Sequence, residues 1–242
     1  MDIITVCKGR SAHLLQSLPT WLETRTPLRV NVVDYGCPDK AQKSVLEFFG
    51  CGSRHSLNYI SVSEVGSFFN LSHAKNIGYQ QSVSDKLVFL HCDISLAPGA
   101  LDDVNLLLEQ ASLVLPTSYD KHALSRLDII GFIAVQRWLA TKLRGFDEQL
   151  CVNPNGWGYE TENFIQRALM LCRQKEMEPQ YLADDKILPA DHADSERVRF
   201  YDIKDPMQSY YAHRDYSEWY LKTVGVEANK GHDFGQAIIS SS

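Results

Sequence analysis

Apolar positions in the first hundred residues follow two alternating rhythms. IITVC (Ile3–Cys7), LRVNVV, LNYISV and KLVFL are short apolar runs that read as β-strands. Between them, apolar residues recur three and four positions apart, as on one face of a helix. AHLLQSLPTWLE places Leu14, Leu15, Leu18, Trp21 and Leu22 together, with Pro19 expected to kink or interrupt the helix. DKAQKSVLEFF and NLSHAKNIGYQQSV are further helical stretches, the second capped by Asn70 or Ser72. KLVFLHCD is the most apolar strand and therefore the expected centre of the sheet. This alternation predicts an α/β fold with a doubly wound, mainly parallel sheet.

The second half is less regular. Ile129 to Val135 is an apolar run leading into a short helix. NPNGWGYETENFIQRALMLCRQKEME opens as a loop and becomes a helix, with an apolar stripe of Phe164, Ile165, Ala168, Leu169, Leu171 and Cys172. The polar, aromatic-rich tail reads as a loop-rich C-terminal extension that either packs back on the sheet or covers a site. No internal boundary stands out, so residues 1–242 read as one domain.

A formal net charge of −6 over 242 residues argues against a general nucleic-acid binder. No apolar run reaches the roughly 20 residues of a transmembrane segment, and the start lacks the order of a secretory signal. Six cysteines without a C-x-x-C pair read as free thiols in a reducing compartment, which makes the cytoplasm the expected location.

In parallel sheets ligands gather at the carboxyl ends of the strands. Asp34 and Asp93 both follow strands there. Asp93 either caps the helix of PGALDDVNLLLEQ or binds a hard cation such as Mn²⁺ or Mg²⁺. His91, two positions earlier on a strand, would point to the same side. Lys8 and Arg10 in CKGR form a basic turn at the same edge, suited to a diphosphate or ribose. Lys75 either neutralises a phosphate or is simply solvated. Glu160 and Glu162 open a helix, where acids are favoured, and a carboxylate there also suits proton abstraction from a sugar hydroxyl. Trp157, beside Gly158, offers a flat plate for a sugar ring or anchors a core, and His192 gains weight only as company for Asp93.

In order along residues 3–195, these segments resemble the GT-A glycosyltransferases, specifically inverting family-two enzymes and the galactosyltransferase-like group with a WGxED loop. VNVVDYGCPDKA is similar to their VVDDGSxD segment, HAKNIG…FLHCDISLAPGAL to ARNxG…FLDADxxxxP, and RGFDEQL…GWGYETENFIQRAL to GGFDE…WGxEDxDLxxR. The resemblance implies a UDP-sugar donor and a carbohydrate or glycoconjugate acceptor. It divides the chain into a nucleotide-binding half (1–110), an acceptor-binding half (111–200) and an extension (201–242). It implies Asp34 at the nucleoside, Lys8, Arg10, Lys75 and His91 around the nucleotide-sugar, and Asp93 with His192 on the metal. The acceptor would stack near Trp157 and Gly158, with Glu160 or Glu162 as the base.

Three positions depart from the pattern. The first acid of the metal motif is His91, the second acid after the nucleoside strand is Tyr35, and the usual base is Thr161, which cannot accept a proton near neutral pH. Glu160 is the favoured replacement. A catalytically silent GT-A domain that binds nucleotide-sugar or glycan is the competing reading. A sugar-phosphate nucleotidyltransferase is a third, but CKGRSAHLL supplies only one glycine where that class needs a glycine-rich loop.

Overall fold

A computed structural model of the chain describes residues 1–50, 52–63, 69–119, 127–151, 158–191 and 205–241. Its strands are β1 (Asp2–Cys7), β2 (Arg29–Tyr35), β3 (Ser56–Ser63), β4 (Lys86–Leu90), β5 (Ile94–Leu96), β6 (Leu113–Pro116), β7 (Phe132–Gln136), β8 (Gln180–Leu182), β9 (Ile187–Pro189) and β10 (Ile238–Ser241). The helices are α1 (Ser11–Leu22), α2 (Gln42–Leu46), α3 (Leu71–Gln81), α4 (Ala100–Gln110), α5 (Arg137–Leu143), α6 (Glu160–Gln174) and α7 (Pro206–Thr223).

Eight strands form one sheet in the order β10-β3-β2-β1-β4-β7-β6-β8, while β5 and β9 make a separate antiparallel pair. Strands β3, β2, β1 and β4 are mutually parallel. Only β7 and β10 run against the others, so the sheet is doubly wound and mainly parallel as expected. The chain leaves β1 toward β2 on one side and is joined by β4 on the other, so the switch in strand order lies at their carboxyl ends. Strand β4 is central, as its apolar run predicts.

Both faces of the sheet are covered, which is why the strands read as unbroken apolar runs. Ile3, Val30, Val32 and Val88 pack with Leu14, Leu18 and Trp21 of α1 and with Val104 and Leu108 of α4. Ile4, Phe89 and Ile133, on the opposite face, pack with Leu139 and Leu143 of α5 and Phe164, Ile165 and Ala168 of α6. Helix α3 closes the same face over Val33 and Ile60 through Ala74 and Ile77.

Pro19 does not break its helix. It sits inside α1, where the buried Leu18 and Trp21 anchor the last turns and the Trp21 indole N–H donates to the Ile94 carbonyl at 2.7 Å. Asn70 caps α3, its side chain accepting from the His73 N–H at 2.8 Å. The C-terminal extension carries more than loops: α7 is 18 residues long. Asp205 accepts from the N–H groups of Met207 and Gln208, and Pro206 follows as the first helical residue. Among the described residues no helix is long and apolar enough to cross a membrane.

Candidate active site

Three strand ends meet at the switch point. After β1, Gly9 turns the chain with φ +66° and donates its N–H to Cys37 Sγ at 3.1 Å. Lys8 lies with its ammonium 5.5 Å from the centre of the Tyr35 ring and 5.7 Å from that of Phe69, and burial pulls its pKa down. Arg10 Nη1 reaches Asp93 Oδ2 at 2.5 Å, joining the first and fourth strand ends through side chains that are 20% and 12% exposed. Asp34, at the end of β2, accepts from the Cys37 N–H at 2.7 Å and the Tyr59 hydroxyl at 3.0 Å. Its carboxylate thus shapes the turn expected to meet the nucleoside. Tyr35, in place of a second acid, bonds His73 Nδ1 at 2.8 Å.

His91 and Asp93 do not share a strand face. Strand β4 stops at Leu90, and the Ile94 N–H closes a turn on the His91 carbonyl at 3.1 Å, so strand alternation no longer applies. The imidazole packs on Gly131, where an added Cβ would lie 2.5 Å from His91 Cγ. The 3₁₀ turn Leu127–Gly131 also packs against α6, which connects the strand mouth to the second half of the site.

That second half is the first turn of α6. Gly158 and Tyr159 both take positive φ, +92° and +69°, turning the chain sharply into the helix. Gly158 is required twice over, because an added Cβ would also press the Tyr210 ring at 3.0 Å. Glu160, Thr161 and Glu162 are all buried. Lys75, itself 3% exposed, crosses from α3 and donates to Thr161 Oγ1 at 2.8 Å, with its ammonium 4.7 Å from the Phe146 ring centre. The structure therefore joins Lys75 to Thr161, the residue that stands where the resemblance expects the base. Glu162 Oε1 accepts from the Tyr210 hydroxyl at 3.0 Å. Burial first, and the neighbouring Glu160 second, push the Glu162 carboxyl up to about 7. Glu160 Oε2 is buried and finds no hydrogen-bond partner among the described residues.

Helix α7 braces this turn. Tyr210 stands edge-on to Tyr159 at 5.2 Å, and His213 Nδ1 donates to the Gly158 carbonyl at 2.8 Å. The sequence pattern concealed two more supports, one fully buried and one half-buried. Arg167 is fully buried and donates to Asn163 Oδ1 and to the carbonyls of Leu143, Gly145 and Val226. Burial lowers it to about 10, against the pull of Asp147. Glu148 accepts from Asn76 Nδ2 and the Gly235 N–H, both at 2.8 Å. Of the two acids of the RGFDE segment, Asp147 thus faces Arg167 of α6, while Glu148 ties its segment to α3 and to Gly235.

A divalent ion fits the described donors poorly. Asp93 is paired with Arg10, His91 is packed on Gly131, and no group of three or more His, Cys, Asp or Glu suited to a metal occurs among the described residues. The Ala190 N–H donates to the Asp93 carbonyl at 2.7 Å, so the chain reaches Asp93 two residues before position 192. His192 and Trp157 lie outside the described residues.

No family model matches the sequence, and no curated protein matches it significantly. Likeness is found among solved structures. A mannosyltransferase from Pyrobaculum calidifontis in complex with GDP-Man and Mn²⁺ superposes with a TM-score of 0.62 at 15% identity, over 93% of this chain and 70% of that one. TarS residues 1–349 from S. aureus, in complex with UDP-GlcNAc, gives 0.69 at 14% identity, over 92% and 66%. The catalytic domain of Drosophila β1,4-galactosyltransferase 7, in complex with xylobiose, gives 0.50 at 16%, over 88% and 79%. Set against the first two, the chain spans roughly two thirds of their lengths. Its fold is that of the GT-A glycosyltransferases.

Proposed function

We propose that the protein is an inverting glycosyltransferase, moving a sugar from a UDP-sugar to a carbohydrate or glycoconjugate acceptor. One observation carries the reading: on a GT-A sheet, α6 presents a buried carboxylate oxygen, Glu160 Oε2, with no donor among the described residues. A buried acceptor of that kind costs free energy unless something supplies its hydrogen bond, and an acceptor hydroxyl supplies one.

In the reaction, Glu160 takes the proton of the attacking hydroxyl. The oxygen displaces the nucleoside diphosphate from the opposite face of the anomeric carbon in one step. Arg10, at the mouth between β1 and β4, and Lys8, over Tyr35 at the end of β2, supply positive charge for the leaving diphosphate. Asp34 and Tyr35 line the nucleoside side, and Gly158 opens the turn to which the resemblance assigns the acceptor. Glu162, pushed up to about 7 by burial and by Glu160 against the opposing Tyr210 hydrogen bond, sets the field around Glu160. The metal that the resemblance implies at Asp93 and His192 is no part of this scheme, because Arg10 is bonded to Asp93. Free thiols at Cys7 and Cys37, 3.8 Å apart, suit a reducing compartment such as the cytoplasm.

The silent-domain reading has an observation of its own: Lys75 holds Thr161, so the usual base position is structural. Incubation with a panel of UDP- and GDP-sugars, read as released nucleotide, separates the two. Turnover that Glu160→Gln lowers by roughly 10²–10⁴, with donor affinity retained, supports the enzyme. Tight donor binding without turnover with any acceptor supports the silent domain.

A further inference from the structure

We infer that Arg10 is the resident cation of the donor site: its guanidinium occupies the carboxylate that the resemblance assigns to a metal, Asp93, and holds the diphosphate without metal. This rests on the proposed nucleotide-sugar reading and specifies how the donor is bound.

The argument begins with the ion pair. Asp93 ends the most central strand and is about nine-tenths buried, so its charge needs a cation close by. Arg10 supplies that cation at 2.5 Å, from a position fixed at the N-cap of α1 immediately after β1. The pair bridges the two strands that flank the switch point, where a diphosphate would lie. Metal capture would have to displace this guanidinium, and the chain offers His91 rather than a second acid to compensate. A hard divalent ion favours carboxylate oxygen, so HxD in place of DxD lowers its affinity further.

Arginine is suited to the replacement. Its planar fork of five donors can hold a carboxylate along one edge and a phosphate along another, which an ammonium cannot do. Two neighbours point the same way. Lys8 adds a second positive charge at the end of β1, and α1 directs the positive end of its dipole to the same mouth. Asp93 is then a positioning residue that fixes the guanidinium, with Arg10 the group that touches the donor.

The test is calorimetric titration of the full chain with UDP and with GDP, once in excess EDTA and once in excess Mn²⁺. The expected result is an affinity that changes less than about threefold between the two media. Arg10→Gln should weaken it at least about tenfold in both, and Arg10→Lys should fall between, since lysine keeps the charge and loses the fork. Circular dichroism of each variant confirms the fold. Binding that disappears in EDTA, is lost in Asp93→Asn and survives Arg10→Gln with Mn²⁺ overturns this inference while leaving the donor reading standing. Binding of neither nucleotide in either medium overturns both.

Discussion

Replacing Glu162 by glutamine isolates one electrostatic cost of the site. The carboxyl is almost wholly buried beside Glu160, and its pKa rises from 4.5 to about 7. A rise of that size disfavours the ionised form in the fold by roughly 3 kcal/mol. Because the folded value is the higher one, stability from this group is intact below about pH 4.5 and is lost as the pH climbs through 7. Glutamine keeps an oxygen to accept from Tyr210 but carries no charge. The stability difference, Glu162→Gln minus wild type, should therefore grow by about 2.5 kcal/mol between about pH 5 and pH 8.5, in favour of the variant. Equilibrium urea unfolding of both proteins at the two pH values measures it, and the other titrating groups cancel in the difference. A gap that stays constant to within about 0.5 kcal/mol, or that narrows, refutes the assignment of a raised carboxyl at Glu162.

Lys75→Met removes a buried charge that lowers the Glu162 pKa, so the Glu162 midpoint followed by carboxyl-carbon NMR should move above its wild-type value; no movement, or a fall, contradicts the placement of Lys75. The Cys7 thiol hydrogen-bonds Cys37, with the Gly9 and Asp39 N–H groups assisting, and pulls Cys37 down to about 7. Alkylation of Cys37 should accordingly reach half its maximal rate near neutrality and shift to higher pH in Cys7→Ala, as followed by mass spectrometry. Arg167→Met leaves Asp147 buried without its guanidinium and should cost about 3–5 kcal/mol in denaturant unfolding, part of it recovered by adding Asp147→Asn.

What the sequence made legible is what local physics determines. The apolar runs of β1 to β4, the α6 stripe and the Asn70 cap each depend on residues a few positions apart, and each appears where expected. The start of α7 was equally local, since Asp205–Pro206 is a cap followed by a first-turn proline, but the mixed aromatic and charged helix behind it has no clean stripe. The site is the reverse case. Arg10 meets Asp93 across 83 positions, Lys75 meets Thr161 across 86, and Tyr210 meets Glu162 across 48. No window of sequence contains both members of such a pair. His91 shows the same limit at short range: its expected side-sharing with Asp93 assumed a strand, and a turn replaces it.

Strand β10 pairs antiparallel with β3, matching Ile238 to Ser63 and Ser241 to Ile60. The outer border of the sheet at β3 is thus sealed by residues translated some 175 positions later. During synthesis, β3 waits with its backbone donors and acceptors exposed until those residues emerge, a window in which chaperones or a second nascent chain compete for that border.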